Sequence, residues 1–327
     1  MNLYEQQRAN RRKTWIIMAA FAGFLFVLGL GFDTVYIGNL GGAVPIGSLL
    51  ALLVGSVGAA AGYFTDDRAV LLSSGARPVE ELEAQAADPE RLKLRQLENV
   101  VDEMAIAAGI PHPRVYVVPD DDPNAFATGR GPGYASIAVT RGLLQALDRE
   151  ELQGVIAHEM SHIRNLDTRV MTVVAALVGA VALIADWSRR GMWWGGGRRR
   201  DDDREGGGLA GAIFFVIWIG AIIVAPLVAQ MLAMMVSRKR EYLADASGAE
   251  LTRNPLGLAR ALEKIDSAVE PTRAINSGSA HLCIADPLGR PMNTREEGFW
   301  SNLFASHPPM SQRIAALRQM AYEHGGR

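Results

Sequence analysis

The stretch His158-Glu159-Met160-Ser161-His162 decides how this chain is read. On an α-helix, residues i and i+4 share a face, so the two imidazoles point the same way and can hold one metal ion. Glu159 stands beside them, where a base acts on water activated by the ion. H-E-x-x-H on a helix is the zincin pattern, and it points to metal-dependent peptide hydrolysis. Asp148 reads as the N-cap of this helix, and Glu151 is placed to complete a capping box. The helix is expected to pass through both histidines and to continue into the next apolar stretch.

Long uncharged runs lie on both sides. Residues 15–32, 40–64 and 209–236 carry no Asp, Glu, Lys or Arg apart from Asp33, which lies between the first two. Each reaches the roughly 18–20 residues that cross about 30 Å of hydrocarbon. Residues 168–187 form a weaker fourth run, with Arg169 and Asp186 near its ends. Arg8, Arg11, Arg12 and Lys13 precede the first run, and the link 33–39 has no basic residue. The positive-inside rule then leaves the amino terminus in the cytoplasm and returns the second run there. A basic start before an apolar core also fits a cleaved signal peptide. The length of the run, the lack of a small-residue cleavage site and the second run close behind it argue for spans instead.

The composition excludes several classes. The formal net charge is −2, and no basic stripe is interleaved with aromatics, which argues against a nucleic-acid partner. No G-x-x-x-x-G-K-[ST] loop is present, so no nucleotide is expected. Cys283 is the only cysteine, which rules out an intrachain disulfide and fits a reducing compartment. No run has an ionisable residue at its middle, which argues against a solute transporter.

Between the apolar runs lie soluble segments. Pro89–Ala108 reads as an amphipathic helix with Leu92, Leu97, Val100, Val101 and Met104 on or near one stripe. Asp88 is its expected N-cap, Pro89 its first residue, and Gly109 its end. Residues 114–118, 124–128 and 135–140 read as short strands, with a Gly-rich turn at 129–133 between the last two. The expected fold is a mainly α membrane protein: transmembrane helices plus a cytoplasmic α+β zincin catalytic domain with a small β-sheet. Its segments are a cytoplasmic amino terminus (1–14), two spans (15–64), the first part of the catalytic domain (65–167), a hairpin (168–236) with a charged Gly-rich loop (188–208), and the second part (237–327). A crossing hairpin places Arg189 and Arg198 to Arg200 outside, against the positive-inside rule. Runs that lie in the membrane without crossing are the alternative, and the length of the fourth run favours crossing.

Catalytic zinc takes three protein ligands and keeps one position open. Asn165 and Thr168 occupy the positions where the extended metzincin motif needs Gly and His, so that class is excluded. Between His162 and Arg240 the only glutamate is Glu205, in the charged loop. Glu241 comes next, in the helical-looking segment Arg240-Glu241-Tyr242-Leu243-Ala244-Asp245 that starts where the fourth run ends. Glu241 is therefore the candidate third ligand. Asp245, one turn on, is placed to accept a hydrogen bond from a ligand imidazole. A pair of solvated charges on a basic helix is the plainer reading of the same two residues.

These residues resemble the HtpX family of membrane zinc metalloproteases, relatives of the type I CAAX prenyl proteases. The resemblance covers nearly the whole chain. It rests on residues 158–162, Glu241 to Asp245, Asn124-Ala125-Phe126-Ala127-Thr128-Gly129, and Ser306-His307-Pro308-Pro309 with Arg313. It implies a gluzincin-like core with one Zn²⁺ per chain, held by His158, His162 and Glu241, and with Glu159 as the base. It also implies a bacterial inner-membrane protease in protein quality control, with its active site cytoplasmic, whose partners are protein or peptide substrates and the lipid bilayer. On this resemblance His307 is a candidate second donor to the oxyanion, and a helix-capping histidine is the equal alternative. Arg313 either orients the site or pairs with a carboxylate. Asn124, Ala125 and Phe126 are expected to line an edge strand to which an extended substrate adds, with Asn124 bonding the substrate backbone on this resemblance; a buried structural turn is the alternative. The competing functions are a non-proteolytic membrane scaffold or chaperone with a structural metal, and a prenyl-protein endopeptidase. Oligomeric state and cleavage specificity are not legible.

Overall fold

Asp148 and Glu151 form the capping box expected from their spacing: the Asp148 carboxylate accepts the Glu151 amide, and the Glu151 carboxylate accepts the Asp148 amide. The helix they start is the hub of the fold. The computed structural model describes residues 3–33, 46–64, 68–174, 238–268, 272, 274–275, 282–285 and 308–325. The chain divides into two compact units. One comprises Met1–Arg11, Thr65–Thr172 and Met234–Arg327; the other comprises Arg12–Phe64 and Val173–Ala233.

In the second unit the described residues belong mainly to two helices, α1 (Leu3–Phe32, from residue 12 on) and α2 (Ile46–Phe64). Asp33 accepts both the amide and the hydroxyl of Ser48, at 2.7 and 2.6 Å, so a carboxylate sits at the amino end of α2, where the helix dipole favours it. Trp15, Ile16 and Val27 on α1, and Leu49, Leu50, Leu53 and Val57 on α2, are exposed. Among the described residues, no helix is long and apolar enough to cross a membrane. The expected hairpin lies outside the described residues from 175 to 236, as does its loop.

The first unit is built around a four-stranded sheet in the order β1-β2-β4-β3: β1 (Arg77–Pro78), β2 (Arg114–Val118), β3 (Ala125–Thr128) and β4 (Ser136–Thr140). β2 and β4 are parallel, with Val115 opposite Ile137, and β3 closes one edge antiparallel to β4, with Ala127 opposite Ile137. All of β4 is buried, as expected of a central strand rich in β-branched residues. β2 has the expected bounds, and β3 and β4 each begin one residue later than expected. β1 was not foreseen, since a two-residue strand leaves no periodicity to detect.

Helices pack around this sheet: α3 (Arg68–Ser73), α4 (Val79–Gln85), α5 (Asp88–Ala108), α6 (Arg141–Ala146), α7 (Arg149–Arg164), α8 (Arg238–Thr252), α9 (Pro255–Asp266) and α10 (Met310–Gly325). Two details of α5 differ from expectation. Asp88 is its first residue, and the cap position falls to Ala87, which makes no side-chain cap. Leu92 is exposed, because the buried stripe is Leu94, Leu97, Val101, Met104 and Ala108, and a residue two before Leu94 points to the other side. Gly109 ends the helix as expected, in the left-handed conformation at φ 66°.

α7 is buried on every side from Val155 to Ile163, and it packs against α5, α8, α9 and β3. It stops at Arg164 and does not continue into the following run. Leu166 adopts φ 60°, and a new helical segment begins at residue 167. Two glycines allow the close approach of its neighbours. A Cβ on Gly154 would stand 2.7 Å from the backbone nitrogen of Leu258 in α9, and one on Gly248 in α8 would stand 3.0 Å from that of His158. Gly154→Ala should therefore cost about 1–3 kcal/mol through overpacking against backbone that cannot rotate away. Denaturant unfolding of the purified protein measures this, and wild-type stability in the variant would show that α7 and α9 separate freely.

Candidate metal centre

His158 and His162 lie one turn apart on α7, both buried, and their Nε2 atoms are 3.2 Å apart. Glu241 on α8 reaches both: one carboxylate oxygen is 3.7 Å from His158 Nε2 and the other 3.6 Å from His162 Nε2. Glu241, Asp245 and Gly248 are spaced i, i+4, i+7, so the face of α8 that touches α7 through its glycine is also the face that carries the two carboxylates. The long sequence gap between His162 and Glu241 is thereby a short spatial one.

Each imidazole is backed by a buried carboxylate. His158 Nδ1 lies 2.9 Å from Asp245 Oδ1, and His162 Nδ1 lies 3.3 Å from Asp167 Oδ2. A carboxylate beside Nδ1 keeps the proton on that nitrogen and leaves the lone pair on Nε2. The two Nε2 atoms then face each other and the Glu241 oxygens, a pocket of electron-rich atoms that a proton or a metal cation can occupy. Three donors about 2.05 Å from one tetrahedral ion stand about 3.3 Å apart. The two Nε2 atoms are 3.2 Å apart, and taking one oxygen of Glu241 the three donor atoms all lie within 4.8 Å of one another, close enough to converge on one ion. Among the described residues these three form the one group of His, Cys, Asp and Glu side chains close enough to hold a metal.

The charge balance fits as well. Glu159, Glu241, Asp245 and Asp167 are buried carboxylates, and Arg313 and Arg240 are the buried guanidiniums that meet them. Four carboxylates against two guanidiniums leave an excess of negative charge, which attracts protons or a metal cation. The same field acts on protons. Burial lowers the proton affinity of His162, but the Asp167 hydrogen bond and the charges of Glu241, Asp167 and Glu159 outweigh it and raise the imidazolium to about 9. His158 moves down, because burial dominates over its contact with Asp245.

Glu159 points the other way from the histidine pair's backing groups, towards β3. Its carboxylate accepts the backbone amide of Ala127, and Oε1 has no hydrogen-bond partner among the described residues. Burial pushes it up to about 7, against the opposing effect of His162, with Glu241 adding to the rise. A carboxylate with a free oxygen and an affinity near neutrality is suited to taking and returning a proton.

Arg313 in α10 is fully buried. It donates Nε to Asp245 Oδ2 at 2.8 Å and Nη2 to Asp245 Oδ1 at 2.7 Å, with Nη1 on the carbonyl of Ile284 at 2.8 Å. Burial alone would raise Asp245, yet the guanidinium and His158 bring it down to about 2, so it stays ionised. Of the expected alternatives for Arg313, the contact is with a carboxylate, and that carboxylate is the one behind His158. His307 lies outside the described residues.

The three residues expected on the substrate edge are placed as follows. Asn124 is buried and its amide is occupied within the fold: Nδ2 donates to Thr272 and to the Ala285 carbonyl, and Oδ1 accepts the Ala125 and Ala285 amides. The Ala125 carbonyl accepts the Ile284 amide at 2.9 Å, and Phe126 is bridged antiparallel to Cys283. The outer edge of β3 is thus paired at Ala125 and Phe126 by the chain's own residues 283–284. Sequence reasoning did not find Asp167, Arg240 or the Ala127 amide. The available signal for Asp167 was an acidic residue just past the second histidine, at a helix break.

Comparison with known proteins identifies the family. The model of peptidase family M48 matches residues 91–321, which include His158, His162 and Glu241. Similar curated proteins include protease HtpX homologs of Streptococcus gordonii (43% identical over 97% of this chain and 100% of that protein) and Thermoanaerobacter pseudethanolicus (44% over 97% and 98%). The crystal structure of S. mikatae Ste24p aligns with a TM-score of 0.47 at 17% identity, covering 96% of this chain and 66% of that one. With a matched model over most of its length and relatives this similar from end to end, the chain belongs to peptidase family M48 and is a metalloprotease of the HtpX group.

Proposed function

We propose that this metalloprotease is a zinc endopeptidase anchored in the bacterial inner membrane, which cleaves misfolded or membrane proteins at the cytoplasmic face. The observation that carries the reading is the convergence of His158 Nε2, His162 Nε2 and the Glu241 carboxylate beside a buried, half-satisfied Glu159. A zinc ion held by those three residues supplies Lewis acidity for activating water and polarising the scissile carbonyl. Glu159 accepts a proton from the attacking water and passes it to the leaving amine. The Ala127 amide holds the Glu159 carboxylate in place for both transfers. Asp245 and Asp167 keep the two rings in the tautomer that offers Nε2.

Protein substrates enter extended, along the edge at β3. For a peptide to pair at Ala125 and Phe126, residues 283–284 have to give way, and Asn124 then serves as the inner support of that strand rather than a free donor. The exposed apolar side chains of α1 and α2, and the basic residues ahead of the first apolar run, support a membrane location with the amino terminus inside. A structural-metal scaffold is the less favoured reading, because a closed structural site uses four ligands and three converge here among the described residues.

Two experiments test the reading. Glu159→Gln should keep one zinc per chain and lower cleavage of casein, or of the protein itself, by roughly 10²–10⁴-fold. Wild-type cleavage by that variant would remove Glu159 as the base. Glu241→Ala should lose zinc on purification in detergent, and chelation of the wild type should abolish cleavage until zinc is returned; equal zinc in Glu241→Ala and wild type would remove the third ligand.

A further inference from the structure

The carboxylate behind His162 is itself held by a residue from the far end of the sequence. Asn10 in α1 is buried, and its amide nitrogen donates to Asp167 Oδ1 at 2.8 Å and to the Asn165 carbonyl at 2.9 Å. An amide nitrogen has two hydrogens, and these two acceptors use both. Gln7, on the same helix, donates Nε2 to the Arg164 carbonyl at 2.8 Å. The last carbonyls of a helix have no partner within it, so Gln7 and Asn10 satisfy the open end of α7. All these residues belong to the same compact unit.

The turn they hold is a demanding one. Leu166 has φ 60°, a conformation that a bulky residue keeps only where its surroundings impose it. That turn lets Asp167, five residues past His162 in sequence, return to the His162 ring. Among the described residues Arg240 also donates to Asp167 Oδ1, at a looser 3.3 Å, from the position preceding Glu241. Asp167 thus joins three separate segments: the amino-terminal helix, the helix of the two histidines and the helix of the third ligand. Without Asn10, Oδ1 keeps the Arg240 guanidinium as its partner among the described residues, which would draw the carboxylate towards it and away from the ring.

We propose that Asn10 is a positioning residue of the metal centre: by fixing Asp167 and the turn before it, Asn10 sets the orientation of the His162 ring. The first residues of the chain are then part of the catalytic unit. This inference rests on the metal-centre reading above.

The test uses the full-length protein in detergent. Zinc affinity is measured by chelator competition, and the coordination sphere by the visible absorption of the cobalt-substituted protein. Loss of an outer partner of a ligating histidine weakens metal binding about 10–100-fold. Asn10→Ala should fall near the low end, about tenfold, with a shifted cobalt spectrum. Gln7→Ala, which removes a cap but no contact to Asp167, should leave both unchanged. In an Asp167→Asn background, Asn10→Ala should weaken zinc no further. Asn10→Asp keeps the shape, lacks the donors and should weaken zinc at least as much, so it serves if the alanine variant does not fold. Wild-type affinity in Asn10→Ala or Asn10→Asp, an equal loss in Gln7→Ala, or additive losses in the double variant would overturn the proposal. A wild-type protein that binds no zinc would instead overturn the metal-centre reading.

Discussion

The rest of the structure depends on two imidazole Nε2 atoms being held 3.2 Å apart. Each ring is backed by a buried carboxylate, and these carboxylates need partners of their own. Asp245 takes Arg313, and Asp167 takes Asn10 and Arg240. Removing one member of a buried ion pair costs about 3–5 kcal/mol, because the other is left charged and unpaired. The network is therefore assembled as a whole, and four well-separated stretches of sequence have to meet for any of it to stand.

Helix packing makes the meeting possible. Glycines at 154 and 248 let α9 and α8 come against the backbone of α7, and the close approach at Gly248 sets Glu241 and Asp245 over the histidines. β3 completes the enclosure: its Ala127 amide donates to the Glu159 carboxylate, so the sheet edge orients Glu159 while the helices orient His158, His162 and Glu241. The burial that makes these groups reactive is supplied by ordinary apolar packing, with Leu152, Ile156, Met160 and Ile163 all inaccessible to solvent. Each such side chain contributes about 1.5–3 kcal/mol on burial.

What could be read from the sequence was what is encoded locally. The histidine pair, the capping box at Asp148, the end of α5 at Gly109 and the strand at 114–118 all follow from spacings of a few residues. Glu241 was reached by elimination, since Glu205, in the charged loop, is the only glutamate between it and the histidines. Asn10 was missed because nothing near it marks it: an asparagine among basic residues reads as solvated until a partner far along the chain is placed against it, whereas Asp167 stood just past the second histidine and its role needed the helix break to be seen. The end of α7 was misjudged for a related reason. The apolar character of the sequence continues past Arg164, and only the backbone at Leu166 shows the break. Leu92 was placed on the wrong side of α5 because a count of apolar residues does not resolve a stripe to one position.

The contact between Asp245 and Arg313 bears on biosynthesis. A ribosome releases the two histidines long before Glu241, and the guanidinium that neutralises Asp245 comes only with the final helix. A chain made only as far as α8 therefore holds both histidines and Asp245 without the guanidinium that neutralises that carboxylate, so the arrangement behind His158 cannot close before α10 has emerged.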